Sequence, residues 1–218
     1  MELVERPDGG FTLVLVDGQG HGMGAKLLSM QLSAKVVALI KEGVRDSVVA
    51  RAASDYLYAF RGGRVSSTLD LLSLDLHAGS VLLTRNSEVA AAVRLGGAFT
   101  ALSCTSGPIG TVRHMRPAVV QLALSAGIAV VLYTDGIAHA GERYNAPLDP
   151  VATLAALPAT ATAQELADGL LAAAVAADRD RPTDDMTAIA LAVSGRDEGP
   201  TVRRLAAEIP LVLRRRDG

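Results

Sequence analysis

The chain holds one cysteine, Cys104, no tryptophan, and only four tyrosines and three phenylalanines in 218 residues. A lone cysteine excludes an internal disulfide and any zinc cluster built on thiolates. Lying among small residues, Cys104 reads as a small core side chain. A basic excess is missing too. The 21 Lys and Arg face 23 Asp and Glu, for a net charge of −2, which argues against nucleic acid as a partner. Half the residues are hydrophobic, yet Lys, Arg, Asp or Gly interrupts each run before the roughly 18–20 residues that a membrane span needs. No secretory leader is visible, since Met1 leads directly into a polar segment. These deficits predict a soluble cytoplasmic protein with neither a nucleic-acid nor a membrane partner. The length suits one domain able to bury a sizeable core of Ala, Val and Leu.

What is present is a succession of short apolar segments punctuated by glycine. Asp8-Gly9-Gly10 predicts a hairpin turn joining a first strand to a second over 11–16. Leu27, Leu28, Met30, Leu32, Val36, Val37 and Ile40 recur at helical spacing over 22–40, with Gly43 just past them. A second helix is expected over 46–60, capped by Asp46 or Ser47 and stopped by Gly62-Gly63. Strands follow over 68–76, 81–85, 89–95, 98–102, 119–124 and 128–133, the last two read as a pair joined around Ala126-Gly127. A polar loop should run from Asp135-Gly136 to Pro147. Helices are expected over 150–156 and 163–177, the latter with Thr162 and Glu165 in a capping box. A last strand covers 186–193. Short connections and glycine turns favour antiparallel meanders. The sum is a single α+β domain over 1–195, two antiparallel sheets with helices outside. Residues 196–218, with Arg203, Arg204 and Arg214 to Arg216, read as an added strand or tail.

Three acidic junctions punctuate this pattern. Asp17-Gly18 ends one apolar strand, Asp135-Gly136 ends another, and Asp184-Asp185 precedes a third. Taken singly, each is an ordinary turn, helix cap or solvated loop. Strands packed side by side would instead bring the carboxylates to one sheet edge. Mg²⁺ and Mn²⁺ take such oxygen ligands, and two ions about 3.5–4 Å apart can bind a phosphate ester and activate water. Arg61, Arg64 and Arg85 read as solvated surface arginines, with a phosphate contact as the alternative. His77 and His114 read as turn or loop residues.

Asp17-Gly18-Gln19-Gly20-His21-Gly22, Tyr133-Thr134-Asp135-Gly136 and Asp184-Asp185-Met186-Thr187 together resemble the signature motifs of PPM-type metal-dependent protein serine/threonine phosphatases. The bacterial branch named for the stage II sporulation phosphatase is the most similar. Ser67-Thr68-Leu69, Asn86-Ser87 and Gly107-Pro108-Ile109-Gly110 match it in order and spacing, and the size is similar to the stand-alone feedback phosphatase of the bacterial stress response. The resemblance implies a central β-sandwich flanked by helices, with two Mn²⁺ or Mg²⁺ ions at one edge. By that resemblance Asp17 bridges both ions, the Gly18 carbonyl binds one, and Asp135 and Asp184 add carboxylates. Asp185 stands where relatives carry Asn or Asp. An activated water would attack phosphorus in line, without a phosphoenzyme.

The pattern departs from its relatives at three places. The family's Gly-Asp pair on the preceding strand falls at about the start of this chain, so a supporting ligand of the second ion is expected to be missing. Gln19 stands where eukaryotic members place a proposed acid histidine, with His21 two residues on. His139 stands where the branch usually has Glu. The implied substrate is a phosphorylated bacterial signalling protein, of the anti-sigma-factor antagonist or stress-complex type. A catalytically weak binding module and a hydrolase of small phosphate esters are the alternatives.

Overall fold

The computed structural model describes residues 1–20, 22–103 and 106–195. His21, Cys104 and the expected tail over 196–218 lie outside the described residues.

One antiparallel sheet contains β1 (Glu2–Glu5), β2 (Phe11–Gly18), β3 (Ser67–Asp75) and β4 (Ser80–Asn86) in that order, with β7 (Ala118–Ala123) beyond β4. The other runs β6-β5-β8-β9, comprising β5 (Ala91–Arg94), β6 (Phe99–Leu102), β8 (Ala129–Tyr133) and β9 (Ala188–Ala192). Helices α1 (Met23–Lys41) and α2 (Asp46–Arg61) cover the first sheet. Two others, α4 (Pro150–Ala155) and α5 (Ala163–Ala177), cover the second. A single turn, α3 (Asp135–Ala138), directly follows β8.

Strand alternation divides the core into three layers. Val14, Val16, Leu69 and Leu71 face the helix side, where they meet Leu28, Leu32, Val36, Ile40, Val49 and Leu57. The intervening Leu15, Leu72, Val81 and Leu83 face the other sheet and meet Val93, Val130, Leu132 and Ile189. Ala129, Val131 and Tyr133 turn outward onto Leu154, Leu166 and Leu170. Each such fully buried aliphatic side chain contributes about 1.5–3 kcal/mol. The result is a β-sandwich flanked by helices, as expected. Length and apolar content would let α1 cross a membrane, but its Leu28, Leu32, Val36 and Ile40 are packed into the domain core.

Three local expectations need correction. The segments over 119–124 and 128–133 do not pair with each other. Instead, β7 pairs with β4 while β8 lies between β5 and β9 in the opposite sheet. Their burial explains why, because β7 alternates as an edge strand with one wet face, whereas every residue of β8 is buried. Neither Asp46 nor Ser47 caps α2, whose N-cap is Arg45 with no side-chain bond. The Asp46 carboxylate instead accepts from Arg6 Nη1 at 2.7 Å and from the Ser73 hydroxyl, tying the helix start to the sheet. The polar loop expected after Asp135 contains α3 and a 3₁₀ turn, Glu142–Tyr144.

Candidate metal centre

Parity along β2 sets the site. Leu13 and Leu15 pack into the layer between the sheets, so Asp17 continues on that face where the strand leaves the sandwich. The carbonyl of Asp17 accepts from Ser67 Oγ at 2.6 Å, and the Gly18 N–H donates to Ser29 Oγ at 2.9 Å. A Cβ at Gly18 would stand 2.9 Å from the Ala25 carbonyl oxygen, so only glycine lets α1 approach this closely.

The second and third junctions are tied together by the backbone. Thr134 N donates to the Thr187 carbonyl at 3.1 Å. The Thr134 hydroxyl donates to the Asp185 carbonyl and accepts from Thr187 N, both at 3.0 Å. A Cβ at Gly136 would lie 2.6 Å from the Asp185 oxygen, so that loop crosses directly over the glycine. Farther along, Arg143 Nη2 donates to the carbonyls of Asp178 and Arg181. The guanidinium carbons of Arg143 and Arg179 lie 4.6 and 4.2 Å from the centre of the Tyr144 ring. This clamp fixes the loop that leads into Asp184.

Asp17, Asp135, Asp184 and Asp185 therefore share one edge, with carboxylates drawn from both sheets. The Asp17 carboxyl is pushed up to about 6. Burial is the chief cause, followed by the charges of Asp135, Asp184 and Asp185 and a hydrogen bond with the Asp135 side chain. Asp135 also accepts from Gly136 N at 2.9 Å, and Asp184 from Asp185 N at 2.8 Å. Among the described residues, no group of three or more His, Cys, Asp or Glu is placed to hold an ion. The donor set nevertheless fits a hard ion that keeps most of its waters and takes only one or two carboxylates. Mutual repulsion concentrated on a half-buried carboxylate is what such a cation would relieve.

Two broadly open clefts meet over Asp17, Thr68, Pro108 and Asp135. One, of about 300 Å³, adds Gln19, Ser66, Thr183 and Asp184. The other, of about 450 Å³, adds Asp70, Glu88, Tyr133 and His139 among its walls. Gln19 is used structurally, since its Oε1 accepts from the Ser66 N–H at 2.9 Å and from the Ser66 hydroxyl at 3.1 Å. His139 Nδ1 lies 2.8 Å from exposed Glu142.

Arg85 is not a solvated surface arginine. It is fully buried and directly opposite Asp70 in the register of β3 and β4. Its Nε and Nη2 reach the two Asp70 oxygens at 3.1 and 2.9 Å, and Nη2 also donates to the Val89 carbonyl at 2.7 Å. Burial pushes the Asp70 carboxyl up, while the Arg85 charge and hydrogen bonds pull it down. Sequence reasoning missed this pair. Its signal was parity, because Asp70 and Arg85 share the inward face with Leu72 and Leu83. Arg61 and Arg64, by contrast, are exposed as expected.

This architecture is the PP2C-type phosphatase fold. The structure of the PP2C domain and a regulatory-domain fragment of SpoIIE from Bacillus subtilis superposes with a TM-score of 0.76 at 21% identity, covering 87% of this chain and 56% of that one. The RsbU and RsbW domains of a Mycobacterium tuberculosis protein give 0.69 at 21%, covering 87% and 54%. The SiaA PP2C domain of Pseudomonas aeruginosa gives 0.69 at 18%, covering 88% and 79%. In sequence, stage II sporulation protein E of Bacillus subtilis is 22% identical over 184 residues, 84% of this chain and 22% of that protein. Its Priestia megaterium counterpart is 20% identical over 135 residues, 62% and 23%. The chain thus spans less than a quarter of these relatives' length. The family profile described as stage II sporulation protein E matches residues 7–194, and the chain belongs to that family.

Proposed function

We propose that this chain hydrolyses phosphoserine or phosphothreonine on a bacterial signalling protein, of the anti-sigma-factor antagonist or stress-complex type. The observation that carries this reading is the shared edge of Asp17, Asp135, Asp184 and Asp185, where burial first and the neighbouring carboxylates second hold Asp17 at about 6. Asp17, Asp135 and Asp184, with the Gly18 carbonyl and Asp185, would hold two Mn²⁺ or Mg²⁺ ions. When bound, such ions activate water and offset phosphate charge. The chain's own part is to fix these oxygens through Ser67, Thr134 and the glycine contacts, and to leave the cleft open. Openness suits a residue presented on a protein better than a small ester held in a closed pocket.

The test is hydrolysis of p-nitrophenyl phosphate and of a phosphoserine peptide, with and without Mn²⁺, by wild type and Asp135→Ala. Metal-dependent activity lost by at least about 100-fold in the variant is expected, the loss being that of a group acting on the transition state. Metal-independent activity, or an unaffected variant, would overturn the assignment. A second reading, a catalytically weak binding module, is favoured by one observation: no group of three ligand side chains is placed to hold an ion among the described residues. A folded, Mn²⁺-binding chain without hydrolysis would select it.

A further inference from the structure

The acidic cleft has a basic neighbour. Residues 61–66 and 111–116 contain four arginines and no Asp or Glu, although the whole chain carries a net charge of −2. Gly110 N donates to Ser54 Oγ at 3.2 Å, and Ser67 and Ile109 form an isolated antiparallel bridge. The two segments are thereby zipped together beside the cleft. One end of the zip, Ser66 and Pro108, lines the cleft with Asp17 and Asp184. Arg64 lies only two residues from Ser66, within about 7 Å of chain.

The guanidinium groups there are held in place by rings and backbone. Arg61 covers the Phe60 ring at 4.6 Å, and Arg113 covers the Tyr58 ring at 5.1 Å. Arg64 Nε donates to the Arg61 carbonyl at 3.4 Å. Gly63 joins the two segments, because a Cβ there would lie 2.9 Å from the Tyr58 ring and 3.4 Å from the Thr111 carbonyl oxygen. Among the described residues none of these three arginines forms an ion pair. Stacked guanidinium groups have already given up rotamer freedom, so they lose less of it on meeting an anion. They are contributed by two separate chain segments, 61–66 and 111–116. A stretch of several carboxylates fits that spread better than one phosphate does.

We propose that Arg61, Arg64 and Arg113, backed by Phe60 and Tyr58 beside the carboxylate cleft, dock an acidic stretch flanking the phosphorylated residue of the protein substrate. This rests on the phosphatase reading for the identity of what enters the cleft. The physical need is clear: a cleft lined with Asp17, Asp135 and Asp184 repels a phosphorylated, acidic partner, and an adjacent cationic rim offsets that repulsion and steers the approach.

Direct binding tests the rim without requiring turnover. Two fluorescent phosphoserine peptides, one flanked by three glutamates and one by three alanines, are titrated with Mn²⁺-loaded protein and followed by anisotropy. Wild type should bind the acidic peptide about five- to tenfold more tightly, the sum of a few exposed charge contacts, with the preference shrinking as salt rises. Arg64→Glu/Arg113→Glu should abolish or invert the preference while leaving p-nitrophenyl phosphate hydrolysis unchanged. Arg61→Glu serves if the double variant does not fold. Equal binding of both peptides by wild type, or an undiminished preference in the variants, would overturn the docking proposal. Absence of hydrolysis with the preference intact would instead remove the phosphatase reading and leave the rim standing.

Discussion

Asp17 bears the electrostatic cost of the site. Its carboxyl holds a proton up to about 6, whereas in an unfolded chain the value is 3.8. Between those values the folded chain binds the proton that the unfolded chain has released, so folding stability falls as pH rises through this window. Thermal melts in EDTA should show that loss from about pH 4 to about pH 6, and Asp17→Asn should flatten it. An identical slope in the variant would disprove the assignment. Gly136 is the other decisive position. Gly136→Ala puts a methyl group against the Asp185 carbonyl, so Mn²⁺ affinity by calorimetry should fall while the circular dichroism spectrum is retained. Deeper in, Arg85→Met strands the buried Asp70 charge and should cost about 3–5 kcal/mol in urea unfolding. Asp70→Leu/Arg85→Met should recover much of that loss, since no lone charge remains. A single variant as stable as wild type would mean that the pair is solvated.

Most elements were legible because their signals are local. The capping box at α5 has both of its hydrogen bonds, Thr162 Oγ1 accepting from Glu165 N and Thr162 N donating to Glu165. The turn at Asp8-Gly9-Gly10 does join two paired strands. What failed was pairing at a distance. The glycine between β7 and β8 looks like a hairpin turn, but the chain changes sheets there, and only the all-buried character of β8 hints at it. Asp46 failed as a cap for a similar reason: its partners, Arg6 and Ser73, lie 40 and 27 residues away. The loop before β9 makes the same point about the site. The motif Asp184-Asp185 is readable, whereas the Arg143 and Tyr144 clamp that aims it is not. Arg143→Ala should therefore lower Mn²⁺ affinity and speed amide exchange over 178–185, with α5 itself still protected. Unchanged exchange in that segment would refute the clamp.

At the scale of the molecule, the two sheets with helices outside followed from short connections and glycine turns, and the gathering of the three acidic junctions followed from their lying where strands meet loops. The arginine rim did not, since the segments that carry Arg61 and Arg113 are joined through contacts distant in sequence, the Ser67–Ile109 bridge and the Gly110–Ser54 hydrogen bond among them. Saturating Mn²⁺ should raise the melting temperature, because an ion that binds only the folded state stabilises it in proportion to the logarithm of its concentration above the dissociation constant. No shift at millimolar Mn²⁺ would argue against the centre.

Asp17 belongs to one sheet, whereas Asp135 opens the turn that follows β8 of the other, and Asp184 and Asp185 lie in the loop before its β9. An occupied centre would work as a rivet through two plates. Its grip would report their alignment, and an ångström of slip between them would open the centre without unfolding either plate.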